Sequence, residues 1–200
     1  MEVASLINSV FNSVTYVLSE PAWDEVWLVD CGDVEKLDPA IPVAGVLLTH
    51  THFDHIYGLD KLLEKWPDVK VFTNAFGEKA LQNPRWNLSH YYPEIPDIVI
   101  DRMDHVVVID QSSELEVFGR PVTVKEVPGH DKSCLAFILD GKLFTGDAYI
   151  PGRAVVRNFP GSDKDEALVS QALLQGISGL YELYPGHPCK TDQDTDDGLL

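Results

Sequence analysis

The stretch Thr49-His50-Thr51-His52-Phe53-Asp54-His55 holds four potential metal ligands, His50, His52, Asp54 and His55. It follows an apolar run, Val43 to Leu48, that is typical of a buried strand. Beyond it, apolar residues recur at helical spacing from Ile56 to Trp66, which predicts a helix over about 55–66. Because alternate side chains of an extended segment point the same way, His50 and His52 share a face. The stretch is therefore predicted to form a strand-to-helix loop, a position where ligands often bind.

The density of this stretch predicts a metal site. Imidazoles and a carboxylate packed so closely are costly to bury without a compensating cation, and they are ligand types that zinc prefers. A lone histidine usually has an ordinary polar role. The alternative is a solvated, histidine-rich loop, but such a tract is expected without structured flanks. The apolar strand and the predicted helix on either side therefore favour the metal site.

Length and composition are typical of one globular domain covering residues 1–200. Apolar residues make up 44% and charged residues 24% of the sequence, and no apolar run approaches the length of a membrane span. The formal net charge of −17 opposes binding to nucleic acid phosphates or anionic lipid. A small-molecule substrate is therefore the expected partner, with no nucleic acid and no membrane. The acidic tail at about 190–200 is expected to be poorly ordered.

The N-terminus and the cysteines predict a cytoplasmic location. Glu2 stands where a signal peptide would carry positive charge. Cys31, Cys134 and Cys189 are widely spaced and odd in number, which indicates reduced thiols rather than a disulfide framework. The oligomeric state is not predicted by these features.

The rest of the chain alternates short apolar runs with turn residues. Residues 74–104 contain many helix and strand breakers and are predicted to be mostly a long surface loop, with a short helix at 78–82 as an option. His90 and His105, in and after this loop, are expected to have ordinary polar roles. A helix is predicted over about 164–175. Further strands are predicted at 14–18, 26–29, 69–72, 105–109, 115–118, 122–127, 135–139, 142–144 and 180–184.

Three later motifs also follow predicted strands. Two Pro-Gly-His motifs end in His130 and His187, and a Thr-Gly-Asp motif ends in Asp147. Either Pro-Gly-His alone is compatible with a turn that contains histidine by chance, but chance would have to put five of the seven histidines at strand ends. With the first stretch, the candidates exceed what one tetrahedral zinc takes. They suit two ions that share a bridging carboxylate, typically about 3.5–4 Å apart.

The set of motifs resembles the metallo-β-lactamase-fold hydrolases over about residues 14–187. The resemblance implies an α+β fold, an αββα four-layer sandwich of two mixed β-sheets flanked by helices. It implies two divalent metal ions as cofactors, zinc first, with iron or manganese as alternatives. The implied ligands are His50, His52 and His130 for the first ion, Asp54, His55 and His187 for the second, and Asp147 as the bridge between them.

Within this superfamily the chain is most similar to small glyoxalase II-like hydrolases, whose loops the segments 87–89 and 156–163 resemble. Two features differ from true glyoxalase II. The sequence stops shortly after His187, before the helical region that carries much of the glutathione site in that enzyme. His130 is followed by Asp131-Lys132-Ser133, where relatives often have threonine and small residues. True β-lactamases of this fold differ in another way, because they typically have cysteine at the position of Asp147.

The expected reaction is hydrolysis of a small carbonyl substrate by a metal-bound hydroxide, since zinc lowers the pKa of its bound water to about 7. A thioester is favoured because its thiolate leaving group has a low pKa. Asp54 is the expected catalytic residue, which would orient the nucleophile besides binding metal. Asp30, at the end of the strand over 26–29, is either a partner that fixes a ligand imidazole or a turn residue.

Tyr57, Lys132, Arg153 and Arg157 are the candidate substrate contacts, because cations can hold a substrate carboxylate. A solvated charge, or packing for the tyrosine, is the alternative role of each. Two other functions are compatible with the same ligands. One is a mononuclear iron oxidoreductase similar to persulfide dioxygenases, which share this fold. The other is a non-catalytic metal-binding protein.

Overall fold

The structure is a computed structural model that describes residues 1–189 of the chain. The acidic tail predicted at about 190–200 lies outside the described residues. The strands are β1 (Glu2–Ile7), β2 (Val14–Ser19), β3 (Val26–Val29), β4 (Val43–Leu47), β5 (Lys70–Thr73), β6 (Val106–Val108), β7 (Glu116–Val117), β8 (Arg120–Pro121), β9 (Thr123–Glu126), β10 (Leu135–Leu139), β11 (Lys142–Gly146) and β12 (Glu182–Pro185). The helices are α1 (Phe53–Ile56), α2 (Leu59–Lys65), α3 (Ala75–Leu81) and α4 (Lys164–Ser178).

The first six strands form one mixed sheet in the order β1-β2-β3-β4-β5-β6. The pairs β1–β2 and β2–β3 are antiparallel, and the pairs from β3 to β6 are parallel. Because parallel strands end at the same edge of a sheet, the loops after β3, β4 and β5 emerge together. The stretch that follows β4 therefore lies at the carboxyl edge of this sheet, beside Asp30 at the end of β3.

The last four strands form a second sheet in the order β12-β11-β10-β9, and β7 pairs with β8 in a separate ribbon. This second sheet is also mixed, since β11 and β12 are parallel while the other pairs are antiparallel. Gly146 pairs with Pro185 in the last register. The residues that follow, Asp147 and His187, consequently leave the sheet side by side.

Three groups of buried apolar side chains hold these elements together. One joins the two sheets and includes Leu18 and Leu47 from the first and Phe137 and Phe144 from the second. Another joins the first sheet to α2, and the third joins the second sheet to α4 through Leu174. Each fully buried side chain of this size contributes about 1.5–3 kcal/mol of transfer free energy. The predicted α+β class with mixed sheets is confirmed.

The predicted strands are observed within two residues at each end, and α4 extends three residues beyond the predicted helix. The strand β1 was not predicted. The prediction of one helix over 55–66 is wrong, because the chain forms α1 and α2 with a break at Tyr57 and Gly58. The break lets Gly58 approach the turn after β3 so closely that a Cβ would lie 2.0 Å from the Gly32 carbonyl oxygen. Apolar spacing cannot reveal such an approach.

The region 74–104 is less irregular than predicted. Helix α3 begins at Ala75, earlier than the predicted start at 78, because the Asn74 side chain accepts hydrogen bonds from the backbone N–H groups of Phe76 and Gly77. The rest of the region, from residue 82 to residue 102, contains one short 3-10 turn at Ser89–Tyr91 and no strand. Within residues 1–189, no helix is both long enough and apolar enough to cross a membrane.

Candidate metal centre

The stretch after β4 turns inward at the carboxyl edge of the first sheet. His52 is the last extended residue before α1, with φ −63° and ψ 146°, so Asp54 and His55 lie on the first turn of that helix. His50 and His55 are fully buried, and Asp54 is only 7% exposed. Unlike a solvated loop, this segment therefore places its polar side chains inside the protein.

Three histidines form a first group, called here the first triad: His50, His52 and His130. One ring nitrogen from each lies within 4.8 Å of the others. His130 Nε2 lies 3.0 Å from His52 Nδ1. The segment that follows β9 carries His130 to the segment that follows β4. The two sheets thus each contribute to the triad.

The second triad consists of Asp54, His55 and His187, whose ligand atoms again lie within 4.8 Å of one another. His187 Nε2 is 3.3 Å from Asp54 Oδ2 and 3.4 Å from His55 Nε2. The segment after β12 brings His187 here from the second sheet. The second triad contains a carboxylate, whereas the first is made only of imidazoles.

Asp147 lies between the two triads. Its Oδ1 is 3.5 Å from His55 Nε2, and its Oδ2 is 3.3 Å from His187 Nε2 and 3.8 Å from His130 Nε2. Its carboxylate also groups with His50 and His55 within 4.8 Å. A carboxylate in this position can donate one oxygen to each of two neighbouring cations. The structure therefore brings together all seven residues that the sequence suggested as ligands.

Four of the five histidines have the nitrogen that faces away from the centre held by an oxygen acceptor. Such outer partners fix the tautomer and direct the other nitrogen inward. Asp30 is one of these acceptors, so it is a partner that fixes a ligand imidazole, the first of the two roles considered for it. It also has the left-handed φ of a turn residue, 60°. The contacts are His50 Nδ1 to Thr49 Oγ1 at 3.2 Å, His55 Nδ1 to Asp30 Oδ2 at 2.9 Å, His130 Nδ1 to Val156 O at 2.9 Å and His187 Nδ1 to Phe11 O at 3.1 Å.

The two triads differ in charge. Burial lowers the pKa of His52 to about 4 and holds the pKa of His50 well below its ordinary value. Burial also opposes protonation of His55, but nearby carboxylates, that of Asp54 foremost, outweigh it and raise its pKa to about 9. Asp147 likewise outweighs burial at His187 and raises its pKa to about 11. A cation that enters the second triad must therefore displace protons.

The donor set fits a bound cation pair. His50 Nε2 and Asp147 Oδ1 are buried at the centre and have no hydrogen-bond partner among the described residues. Buried polar atoms without a partner are costly and rare, so each calls for an unseen partner. Each triad offers three ligand atoms, which are imidazole nitrogens or carboxylate oxygens. Such ligands are expected for zinc, and they also suit iron or manganese.

The comparison with known families agrees with this geometry. The family model described as the metallo-beta-lactamase superfamily matches residues 17–190. The chain belongs to the metallo-beta-lactamase superfamily. The family resemblance of the sequence motifs is thereby confirmed, and with it the general class of metal-binding hydrolases.

Relatives in the superfamily carry hydrolase names. A probable metallo-hydrolase of Streptococcus pyogenes serotype M6 is 27% identical over 94% of this chain and 84% of its own length. The hydroxyacylglutathione hydrolase of Shewanella oneidensis is 31% identical over 76% of this chain. The match covers 54% of that enzyme, so the chain spans about half its length. The crystal structure of the BLEG-1 B3 metallo-beta-lactamase superposes with a TM-score of 0.81 at 23% identity, covering 95% of this chain and 93% of that one, which shows the shared fold.

The four candidate substrate contacts do not share one environment. The Tyr57 hydroxyl donates a hydrogen bond to the Asp33 carboxylate. The Lys132 ammonium lies 6.0 Å from the centre of the Phe76 ring. Arg153 and Arg157 are half-buried, and Arg153 Nε has no hydrogen-bond partner among residues 1–189. Contact with substrate stays a prediction for all four.

Several neighbours of the centre were not predicted. Phe159 packs edge-on against the His52 ring, 5.6 Å between centres. On the side of Asp54, Phe11 and Tyr92 pack against each other and against Phe53. Phe11 and Tyr92 belong to no motif. Phe159 lies in the segment 156–163 that resembles a glyoxalase II loop, but that resemblance gave the residue no role at the centre. The backbone carbonyls that hold His130 and His187 are available in any residue type. Sequence patterns therefore give no sign of them.

Proposed function

We propose that this chain is a metal-dependent hydrolase that cleaves a small carbonyl substrate, a thioester first. The observation that carries the proposal is the convergence of two triads on one shared carboxylate, Asp147. Zinc is the proposed metal, at two ions per chain, with His50, His52 and His130 as ligands of one and Asp54, His55 and His187 as ligands of the other. Bound ions of this kind supply Lewis acidity and a water molecule of lowered pKa.

Asp54 is the proposed catalytic residue. Burial opposes its ionisation, but His55 and His187 lower its pKa, so the carboxylate stays charged at neutral pH. Its Oδ2 is 3.3 Å from His187 Nε2, at the edge of the second triad. From there the carboxylate can accept a hydrogen bond from the attacking water and orient it towards the substrate carbonyl. The Ser13 hydroxyl donates to the Asp54 carbonyl oxygen at 2.6 Å, which fixes the backbone of this turn.

A thioester is proposed because its leaving group needs little help from a separate acid. A thiol has an ordinary pKa of about 8.5, so a thiolate departs without a proton at neutral pH. The names of the relatives support the same substrate class, since hydroxyacylglutathione hydrolases are thioesterases by name. This chain matches only about half of the length of those relatives. The thiol part of the substrate is therefore to be identified by experiment.

Further parts of the proposal concern the whole protein. The three apolar groups support four layers in the order helix, sheet, sheet, helix. We also propose a single domain over residues 1–200, which the length and composition support. The net charge of −17 supports a small-molecule substrate without nucleic acid or membrane partners. Three widely spaced free cysteines support a cytoplasmic location.

The test is metal analysis of the full chain together with a substrate panel: a hydroxyacylglutathione thioester, a short acyl thioester of another thiol, a β-lactam, and a persulfide with oxygen uptake. Two equivalents of zinc and turnover of a thioester support the proposal, and Asp54→Asn, assayed in excess zinc to keep the second triad filled, should then lower kcat. Turnover of the β-lactam alone would instead identify a β-lactamase. One equivalent of iron, with oxygen uptake when the persulfide is added, would instead identify a mononuclear iron oxidoreductase. Stoichiometric metal with no turnover of any substrate would favour a non-catalytic role.

A further inference from the structure

His52 is the exception among the five histidines of the centre. The other four are held through Nδ1 and direct Nε2 inward, whereas His52 Nδ1 faces inward, 3.0 Å from His130 Nε2. Its outward nitrogen, Nε2, is buried and has no hydrogen-bond partner among the described residues. An imidazole that binds a cation through Nδ1 must carry its proton on Nε2. That N–H requires an acceptor.

The acceptor that faces this nitrogen is Asp131. Its Oδ2 lies 3.9 Å from His52 Nε2, is buried, and also lacks a hydrogen-bond partner in the described part of the chain. The residue is fully buried. Gly161 also lies close to this oxygen, because a Cβ at that position would come within 2.8 Å of Oδ2. The unpartnered carboxylate oxygen and the unpartnered ring nitrogen therefore face each other.

The carboxylate is held firmly by its other oxygen. Asp131 Oδ1 accepts the Ser133 backbone N–H at 2.8 Å and the Ser133 hydroxyl. The same hydroxyl oxygen accepts the Thr51 backbone N–H at 3.0 Å, next to His52 in the chain. Asp131, Ser133 and Thr51 thus tie the segment after β9 to the segment after β4. This frame fixes Asp131 relative to the His52 ring.

We propose that Asp131 is a positioning residue that selects the Nε2–H tautomer of His52, and thereby presents Nδ1 to the cation of the first triad. A shift of about 1 Å would bring the 3.9 Å pair into hydrogen-bond range. The inference rests on the proposed metal role of the first triad, but the tautomer can be measured without metal.

The decisive variant is Asp131→Asn. The asparagine keeps the size of the side chain and an oxygen for the Ser133 N–H, while it removes the charge. In the metal-free wild type, long-range ¹H–¹⁵N spectra of the imidazoles should show His52 as the Nε2–H tautomer, with the peak assigned by its loss in His52→Gln. In Asp131→Asn the same ring should shift towards a mixture of tautomers. A wild-type ring in the Nδ1–H form, or an unchanged ring in the variant, overturns the proposal.

A second measurement addresses the metal. Titration of the metal-free protein with zinc against a chelator of known affinity should show that Asp131→Asn loses about 10–100-fold in the affinity of one ion. The matched control is Asp101→Asn, an exposed aspartate whose side chain makes no hydrogen bond within residues 1–189, and it should bind both ions as the wild type does. Equal affinities in wild type and Asp131→Asn overturn the proposal. If neither the wild type nor the variants bind zinc, the proposed function is wrong. The tautomer measurement on the metal-free protein then still tests the role of Asp131.

Discussion

The Asp30 carboxylate holds His55 from outside the metal centre, with Oδ2 2.9 Å from His55 Nδ1. Both oxygens of Asp30 are used, because Thr49 donates its backbone N–H to Oδ1 and its hydroxyl to Oδ2, each at 2.7 Å. The Thr49 hydroxyl is in turn 3.2 Å from His50 Nδ1. One buried carboxylate at the end of β3 therefore orients two ligand candidates, one directly and one through a threonine.

Asp30→Asn is predicted to weaken metal binding by about 10–100-fold, the usual effect of removing an outer partner of a ligand imidazole. Asparagine tolerates the left-handed φ of 60° at this position, so the backbone should be retained. Chelator competition with the metal-free protein measures the change. Asp24→Asn, at an exposed position, is the control and should leave affinity unaltered. Unchanged affinity in Asp30→Asn would mean that His55 needs no such partner.

His187→Ala is predicted to lower the metal content from two equivalents to about one. The first triad lacks His187, so its own ion should stay, while the second triad keeps only Asp54 and His55. Elemental analysis after dialysis measures the ratio of metal to protein. His90→Ala removes an exposed histidine that lies beside Asp97 and serves as the control. Two equivalents in His187→Ala would contradict its assignment as a ligand.

The ligand candidates at the strand ends could be predicted from the sequence because each lies next to its strand in the chain. The apolar run 43–48 and the histidines after it are adjacent in the chain, and Pro-Gly-His marks the two later segments. Features that depend on contacts between segments far apart in the sequence could not be predicted. The break before α2 exists because Gly58 N–H donates to the Cys31 carbonyl oxygen, 3.0 Å away across the turn after β3. No spacing of apolar residues encodes that contact.

The strand β1 was missed for a different reason. Its residues do not alternate regularly between apolar and polar types. Four of the six are exposed, and only Val3 and Leu6 are partly buried. The strand forms because the edge of β2 offers an antiparallel partner over its full length. Pairing with a neighbour, rather than local preference, decides this element.

Gly129→Ala is predicted to destabilise the protein strongly, because the position before His130 has no room for a side chain. Gly129 has φ 125°, and a Cβ would lie 2.0 Å from the Ala167 backbone nitrogen in α4. A loss of more than about 2 kcal/mol in the free energy of unfolding is expected from backbone strain and displacement of α4. Urea unfolding of the metal-free protein measures it.

The matched control for that variant is Gly176→Ala in the exposed part of α4, where a Cβ meets nothing within 4 Å. This change should stabilise the protein by about 0.5–1 kcal/mol, since alanine is the better helix former. Similar free energies for the two variants would show that the tight contact between Gly129 and α4 is absent in solution.

The Asp33 carboxylate gives the protein a pH-dependent contribution to stability. Burial opposes its ionisation, but hydrogen bonds from Lys36, Tyr57 and Ser9 hold its pKa well below the ordinary value. A depressed carboxyl pKa stabilises the folded state above the unfolded pKa of about 3.9, and this contribution is lost as the pH falls below it. Asp33→Asn is therefore predicted to cost about 1 kcal/mol at pH 7, after allowance for solvent screening, and less and less below pH 4.

Thermal unfolding at several pH values checks this, since about 1 kcal/mol corresponds to a Tm shift of about 2–4 °C for a chain of this size. Tyr57→Phe removes only the hydroxyl that donates to Asp33 and should lower Tm in the same direction by a smaller amount, with KM for the substrate unchanged if the tyrosine is structural. A raised KM with unchanged Tm would instead make Tyr57 the substrate contact that the sequence suggested. A difference between wild type and Asp33→Asn that persists undiminished at pH 3 would show that ionisation of this carboxyl is not its cause.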